Sequence, residues 1–155
     1  MNNKPLITLF EENEMNIAAL YSLYAQQLPE QTVFWNRMSN EEIGHAAQIG
    51  NEKDDSEEAI PENKFSRGII KYLMDFVLDE INKAQHHPLS HRDALLTALR
   101  IEQSMLERKC FDLFLPTKKT LQEVFFKLNR ETERHVEYLQ KEMKKNKFSF
   151  KEPSK

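Results

Sequence analysis

The chain has 155 residues, enough for one domain with a real core and too few to make two domains the expectation. Three glycines and six prolines, with abundant Leu, Glu, Lys and Ala, favour long helices over many short strands, and a net charge of -3 argues against a surface built mainly for nucleic acid. A single cysteine, Cys110, excludes an intrachain disulfide and any cysteine-based zinc or iron site. Met1-Asn2-Asn3-Lys4 leads into an amphipathic segment with no secretory apolar region, and no apolar run is long enough to span a bilayer. The expectation is a cytoplasmic, all-α protein without a membrane or nucleic-acid partner.

The first helix is expected from about Pro5, whose missing N–H suits a first turn, to about Gln27. Its apolar line is Leu6, Phe10, Ile17, Ala18, Tyr21 and Tyr24, and Glu14 falls on that line. Leu28-Pro29 breaks the helix, because a residue before proline avoids helical geometry. A second helix follows from roughly Pro29 to Gly50, and so short a connection predicts antiparallel packing. Its stripe reads Trp35, Met38, Glu42, His45, Ala46 and Ile49. Glu42 and His45, three residues apart, share one face and can converge on one point. Ionisable groups seldom sit in such a stripe without a partner, and a metal ion is one.

Residues 51–64 are polar and acidic and read as a solvated crossover loop. Ser66 to about Gln85 is expected to be a covering or crossover helix, with Ile69, Ile70, Leu73, Phe76, Val77 and Ile81 on one side and no Glu or His among them. His86, His87 and His91 lie around Pro88, where exposed histidines are a better reading than a second metal site. Ser90 and Asp93 form a capping-box-like pair. The helix they open carries Leu95, Leu96, Leu99, Glu102, Met105, Leu106 and Leu113, with Glu102 on the buried line. Cys110 is placed as a buried or idle thiol, since no histidine is positioned to activate it. Pro116 ends this helix, and Thr120 with Glu123 is expected to cap the next. Its stripe is Leu121, Val124, Phe125, Leu128, Thr132, His135, Leu139 and Met143. The bundle domain is therefore placed at 5–143 and a basic tail at 144–155.

The polar intrusions repeat. Glu14 precedes Glu42 by 28 residues and Glu102 precedes Thr132 by 30, and a histidine follows each second position by three. In antiparallel hairpins Glu14 should meet Glu42 and His45, and Glu102 should meet Thr132 and His135, near mid-bundle.

With Glu14-Met15-Asn16-Ile17-Ala18-Ala19-Leu20-Tyr21, Glu41-Glu42-Ile43-Gly44-His45-Ala46, the Ser90–Glu102 segment and the run Leu128–Leu139, this order resembles the ferritin-like di-iron carboxylate proteins, and more narrowly rubrerythrin and its relatives, over roughly residues 5–143. The resemblance implies a ferritin-like antiparallel four-helix bundle with a long crossover containing an extra helix. It also implies a site for two iron ions, or manganese, held by Glu14, Glu42, His45, Glu102 and His135. The implied activity is an oxidoreductase acting on peroxide, dioxygen or ferrous iron as peroxidase or ferroxidase, with an external electron-donor protein. A homodimer is expected because a short four-helix bundle commonly buries further apolar surface between subunits. Tyr21 or Tyr24, otherwise core aromatics, would then bond a ligand carboxylate.

The pattern departs from the family at Thr132, where the last helix of the family carries a glutamate; Glu131 and Glu133 are rotated about 100° to either side. Met105 stands where the peroxide-reducing members add a glutamate, and their Cys-x-x-Cys iron module is missing from the sequence. The alternative is a bundle of this type with one ion or none, acting in binding, sensing or structure.

Overall fold

In a computed structural model the protein is described at residues 4–52, 64–107 and 119–148, apart from the side chains at 64–66 and 105–107. The acidic loop, Cys110 and most of the basic tail lie outside the described residues, as does the side chain of Met105. The described residues form five α-helices and no strand: α1 (Leu6–Gln27), α2 (Thr32–Gly50), α3 (Lys64–His86), α4 (His91–Glu107) and α5 (Lys119–Lys145), with a 3-10 turn at Pro29–Gln31.

Local chemistry sets the helix ends. Pro5 stands one residue before α1 rather than in its first turn, with φ -58° and ψ 151°, and its carbonyl accepts the amides of Thr8 and Leu9. Leu28, restricted by the proline that follows, takes φ -122° and ψ 75° and ends α1. The Thr32 hydroxyl at the head of α2 donates to the Ala25 and Pro29 carbonyls, pinning the tight reversal. The capping box before α4 forms as read: Ser90 Oγ accepts the Asp93 amide at 3.1 Å and Asp93 Oδ2 accepts the Ser90 amide at 3.4 Å. The second expected box does not form. Thr120 lies inside α5 and its hydroxyl donates to Glu52, so the helix extends past the position that the capping pattern marked.

α1 and α2 run antiparallel, with Ser39 Oγ donating to the Ala18 carbonyl at 2.8 Å. α5 is antiparallel to both α2 and α4, as shown by Arg37 on Tyr138, Glu41 on His135 and His45 on Glu131 along one seam, and by His91 on Glu142 along the other. α3 lies along the outside of α1 in the same direction, tied by Arg67 to the Lys4 carbonyl and by Gln27 to the Ala84 carbonyl. It buries Ile70, Leu73 and Val77 and brings no carboxylate or histidine to the buried polar cluster, its Glu80 accepting instead from Thr97 of α4, which suits a covering helix.

The core joins Phe10, Ile17, Tyr21, Trp35, Met38, Ile49, Leu121, Phe125, Leu128 and Leu139 into one cluster. Each such side chain contributes about 1.5–3 kcal/mol by leaving water. That rigid apolar frame surrounds a set of buried polar groups: Glu14, Glu42, His45, Glu102, Thr132 and His135. No helix among the described residues is long and apolar enough to cross a membrane.

Candidate metal centre

α1 presents Glu14 inward because Phe10, Ile17 and Tyr21 on the same face are fully buried. α2 does the same for Glu42 and His45 through Trp35, Met38 and Ile49, and α5 for Thr132 and His135 through Phe125, Leu128 and Leu139. α4 adds Glu102 next to the buried Ala98 and Ile101. The three carboxylates are 1–2 % exposed and both histidines 3 %, so none is solvated as an ordinary surface charge would be.

The five residues meet as two overlapping triads. Glu14, Glu42 and His45 bring one ligand atom each to within 4.8 Å of one another, and Glu42, Glu102 and His135 do the same. Glu42 belongs to both. His45 Nδ1 lies 3.2 Å from Glu14 Oε1 and 3.4 Å from Glu42 Oε1. His135 Nδ1 lies 3.1 Å from Glu42 Oε2 and 3.5 Å from Glu102 Oε1. The two imidazoles stack at 5.2 Å with their planes 17° apart.

Both outward ring nitrogens are taken by carboxylates from across the α2–α5 seam. His45 Nε2 is 2.8 Å from Glu131, and His135 Nε2 is 2.6 Å from Glu41. A carboxylate there fixes the proton on Nε2 and leaves Nδ1 to supply a lone pair to the centre whenever the ring is neutral, which is how histidine ligands are oriented at metal sites. Glu131 and Glu41 do not stand in the buried stripes, and helical periodicity alone did not single them out. The signal available was a second repeat, Glu41 with His45 and Glu131 with His135 at the same i, i+4 spacing.

The electrostatics show how strongly these groups act on one another. Burial and the neighbouring Glu42 charge raise the Glu14 pKa to about 8. Burial also opposes ionisation of Glu42, but the His135 and His45 imidazoles beside it overcome it and hold that carboxyl below the usual range. Burial alone would lower His45, yet Glu14 and Glu42 raise it to about 11; Glu102, Glu41 and Glu42 raise His135 in the same way. Burial and Glu42 raise Glu102 as well. The Tyr21 hydroxyl donates to Glu102 Oε2 at 2.7 Å, both groups being buried.

Proximity here is not satisfaction. Glu14 Oε2, Glu42 Oε2 and His135 Nδ1 are buried without a properly aligned hydrogen bond, although opposite charges stand close by. Among the inward donor atoms only His45 Nδ1 and Glu14 Oε1 form a hydrogen bond within the triads, at 3.2 Å, and the remaining unbonded oxygens and nitrogen crowded together fit a cation placed among them.

Thr132 occupies the place in the second half that Glu42 holds in the first. It is 2 % exposed, and its hydroxyl turns back to the Leu128 carbonyl of its own helix at 2.9 Å. The second triad is nonetheless formed, because Glu42 reaches across to His135.

The loop histidines divide. His86 and His87 are exposed, as expected, but His91 is buried. Its Nδ1 accepts the Trp35 indole N–H at 3.1 Å and its Nε2 faces Glu142 at 3.0 Å, so His91 is a strut joining α2, α4 and α5. Its position at the first turn of α4, facing Trp35, removes it from solvent. Tyr24 is a core aromatic packed edge-on to Trp35. No protein-family model matches this chain, and no curated protein or solved structure does so either.

Proposed function

We propose that this protein is a non-haem metal protein of the ferritin-like, rubrerythrin-like kind, in which α1, α2, α4 and α5 form the four-helix bundle and α3 belongs to the crossover. Glu14, Glu42 and His45 hold one ion and Glu42, Glu102 and His135 hold the other, iron being the first choice and manganese the second. The observation that carries this reading is the position of Glu42, a fully buried carboxylate whose two oxygens face His45 and His135 separately. A carboxylate that faces both histidines could be shared by two cations, as two-ion sites require.

Such a pair of ions, when bound, supplies two-electron exchange with peroxide or dioxygen, or oxidation of ferrous iron. The protein residues have simpler duties. Glu131 and Glu41 orient the imidazoles, Tyr21 steadies Glu102 through its hydroxyl proton, and the Trp35, Phe10 and Phe125 walls exclude bulk water. Electrons come from a separate donor protein, and the bundle pairs as a homodimer in the cytoplasm.

A second reading has support of its own: with both histidines protonated, the cluster offsets most of its own charge and can serve as a metal-free ion-pair core. The two readings part on manganese. Anaerobic loading with Mn(II), followed by electron paramagnetic resonance, should give an exchange-coupled spectrum at two ions per chain. An isolated-ion signal at one per chain would reduce the site to a single metal, and no binding would leave the ion-pair core.

A further inference from the structure

The outer surface of the α1–α2 hairpin carries almost no charge. The exposed residues of α2 are Val33, Asn36, Arg37, Asn40, Ile43 and Ala47, and those of α1 are Met15, Ala19, Gln26 and Gln27, so Arg37 is the one ion among them. It is held at the edge of the face by Tyr138 and Glu41. The other long helices differ: α5 exposes Lys127, Arg130, Glu133, Arg134, Glu137 and Lys141, and α3 exposes Lys71, Asp75, Asp79 and Lys83. In a chain with 30 % charged residues a solvated helix face is expected to carry such ions, and this one does not.

The uncharged residues also have an order. Val33, Asn36, Asn40, Ile43 and Ala47 follow one another at intervals of three and four, the spacing of a helix-pairing seam, on the side of α2 away from the buried Trp35, Met38, Glu42 and His45. Val33 is 84 % and Ile43 44 % exposed, so their own chain does not cover them. Gly44 shares this face. Glycine is unfavourable inside a helix, and nothing in the chain requires it there: its φ is not positive and a Cβ would meet nothing within 4 Å. It leaves α2 open to close approach by another backbone. The bond from Ser39 to the Ala18 carbonyl sets the hairpin register and brings exposed Met15 to the height of Ile43, so α1 extends the same face.

We propose that this face is where a second copy of the chain binds, with α2 packed antiparallel on the partner's α2 about a two-fold axis at Asn40. About that axis the seam complements itself. Asn40 meets the partner's Asn40, Val33 meets the partner's Ala47 as large against small, and Asn36 falls opposite the partner's Gly44. A primary amide both donates and accepts, so two Asn40 side chains satisfy one another and fix a register that apolar residues alone would leave free to slide. Two such helices side by side present an outline of about 30 by 20 Å, enough for the roughly 800 Å² of accessible surface per partner that a specific interface buries. The lack of charge favours a second copy over a different protein, because a two-fold axis sets ions near it beside their own mates, and a face without ions avoids that repulsion while offering a charged partner nothing to read. This inference rests on the homodimer proposed above and needs neither ion.

The test is sedimentation equilibrium of the full chain, kept free of metal by a chelator. The wild-type protein should sediment at twice the 18.4 kDa of one chain. Asn40→Glu and Asn40→Lys, changes at an exposed position that should leave the helical circular dichroism unaltered, should each weaken association by about a hundredfold or more, because like charges then meet across the axis. An equimolar mixture of the two variants should recover the dimer, since opposite charges now face each other. Phe126→Glu, which alters an exposed apolar residue of α5, should leave the dimer intact. A monomeric wild-type protein would overturn both this interface and the homodimer it rests on. A dimer that survives both Asn40 changes, or that Phe126→Glu dissolves, would overturn this face and leave the homodimer standing. Asn40 variants that dissociate separately but do not pair when mixed would overturn the two-fold axis at Asn40.

Discussion

His45 Nε2 and Glu131 Oε1 lie 2.8 Å apart across the seam between α2 and α5, while the other nitrogen of the same ring faces Glu14 and Glu42. In the proposed metal centre this contact would make one helix responsible for the ligand geometry of another. Glu131→Gln keeps a hydrogen-bond acceptor but loses the negative charge that faces the outward Nε2. The expected result is a fall of about 10–100-fold in the affinity of the ion held by His45, with the number of ions bound unchanged. Chelator competition measures it, and an unaltered affinity would mean that the contact is incidental.

Tyr21 offers a separate check. Tyr21→Phe removes the donor at 2.7 Å from Glu102 Oε2 and leaves a buried carboxylate oxygen without it. The metal-free protein should lose about 1–3 kcal/mol in urea unfolding. Metal in the proposed centre should restore part of that loss by offsetting the Glu102 charge from its Oε1 side.

Glu42 is the shared group, so its loss should be the most damaging of the single changes. Glu42→Gln preserves volume but leaves His45 and His135 without the carboxylate between them. Breaking a buried pair in this way costs about 3–5 kcal/mol. The variant should show a correspondingly lower urea midpoint and should bind neither ion tightly; retention of one tight ion would contradict the sharing.

The response to pH has a definite sign. In the metal-free protein His45 is raised from 6.5 to about 11 and Glu14 from 4.5 to about 8. Groups raised on folding stabilise fully below their unfolded values, and that contribution is lost as pH climbs through the folded ones. Stability from Glu14 therefore drains between 4.5 and about 8, and that from His45 between 6.5 and about 11. Glu42, held low, acts oppositely: its contribution is present above 4.5 and is lost on acidification. The melting temperature of the metal-free protein should thus fall from about pH 6 to about pH 9. With Mn(II) the trend should reverse, because ions bind the deprotonated ligands and release protons. A flat metal-free profile over that range would contradict the strong coupling of the cluster.

Some of this centre was legible in the sequence, for reasons that particular residues make plain. Glu14, Glu42, His45, Glu102 and His135 each interrupt an apolar stripe at helical spacing, and periodicity alone assigns such residues to buried faces. The break at Leu28-Pro29 and the cap at Ser90 and Asp93 are local chemistry, written within a few residues. Glu41 and Glu131 could not be read that way. They sit off the stripe, and what they bond depends on how closely α2 approaches α5, a tertiary quantity. His91 looked exposed for the same reason: its neighbours in sequence are polar, but its partners Trp35 and Glu142 come from elsewhere in the chain. Thr132 was readable as a departure from the repeat, whereas the reach of Glu42 into the second triad required coordinates.

The central claim is that one buried carboxylate organises two ion sites, and metal content per chain tests it most directly. Protein reconstituted anaerobically with ferrous iron, freed of loosely held metal and measured by elemental analysis should contain about two irons per chain, falling to near zero in Glu42→Gln. A wild-type protein that retains no iron after this treatment would contradict the account.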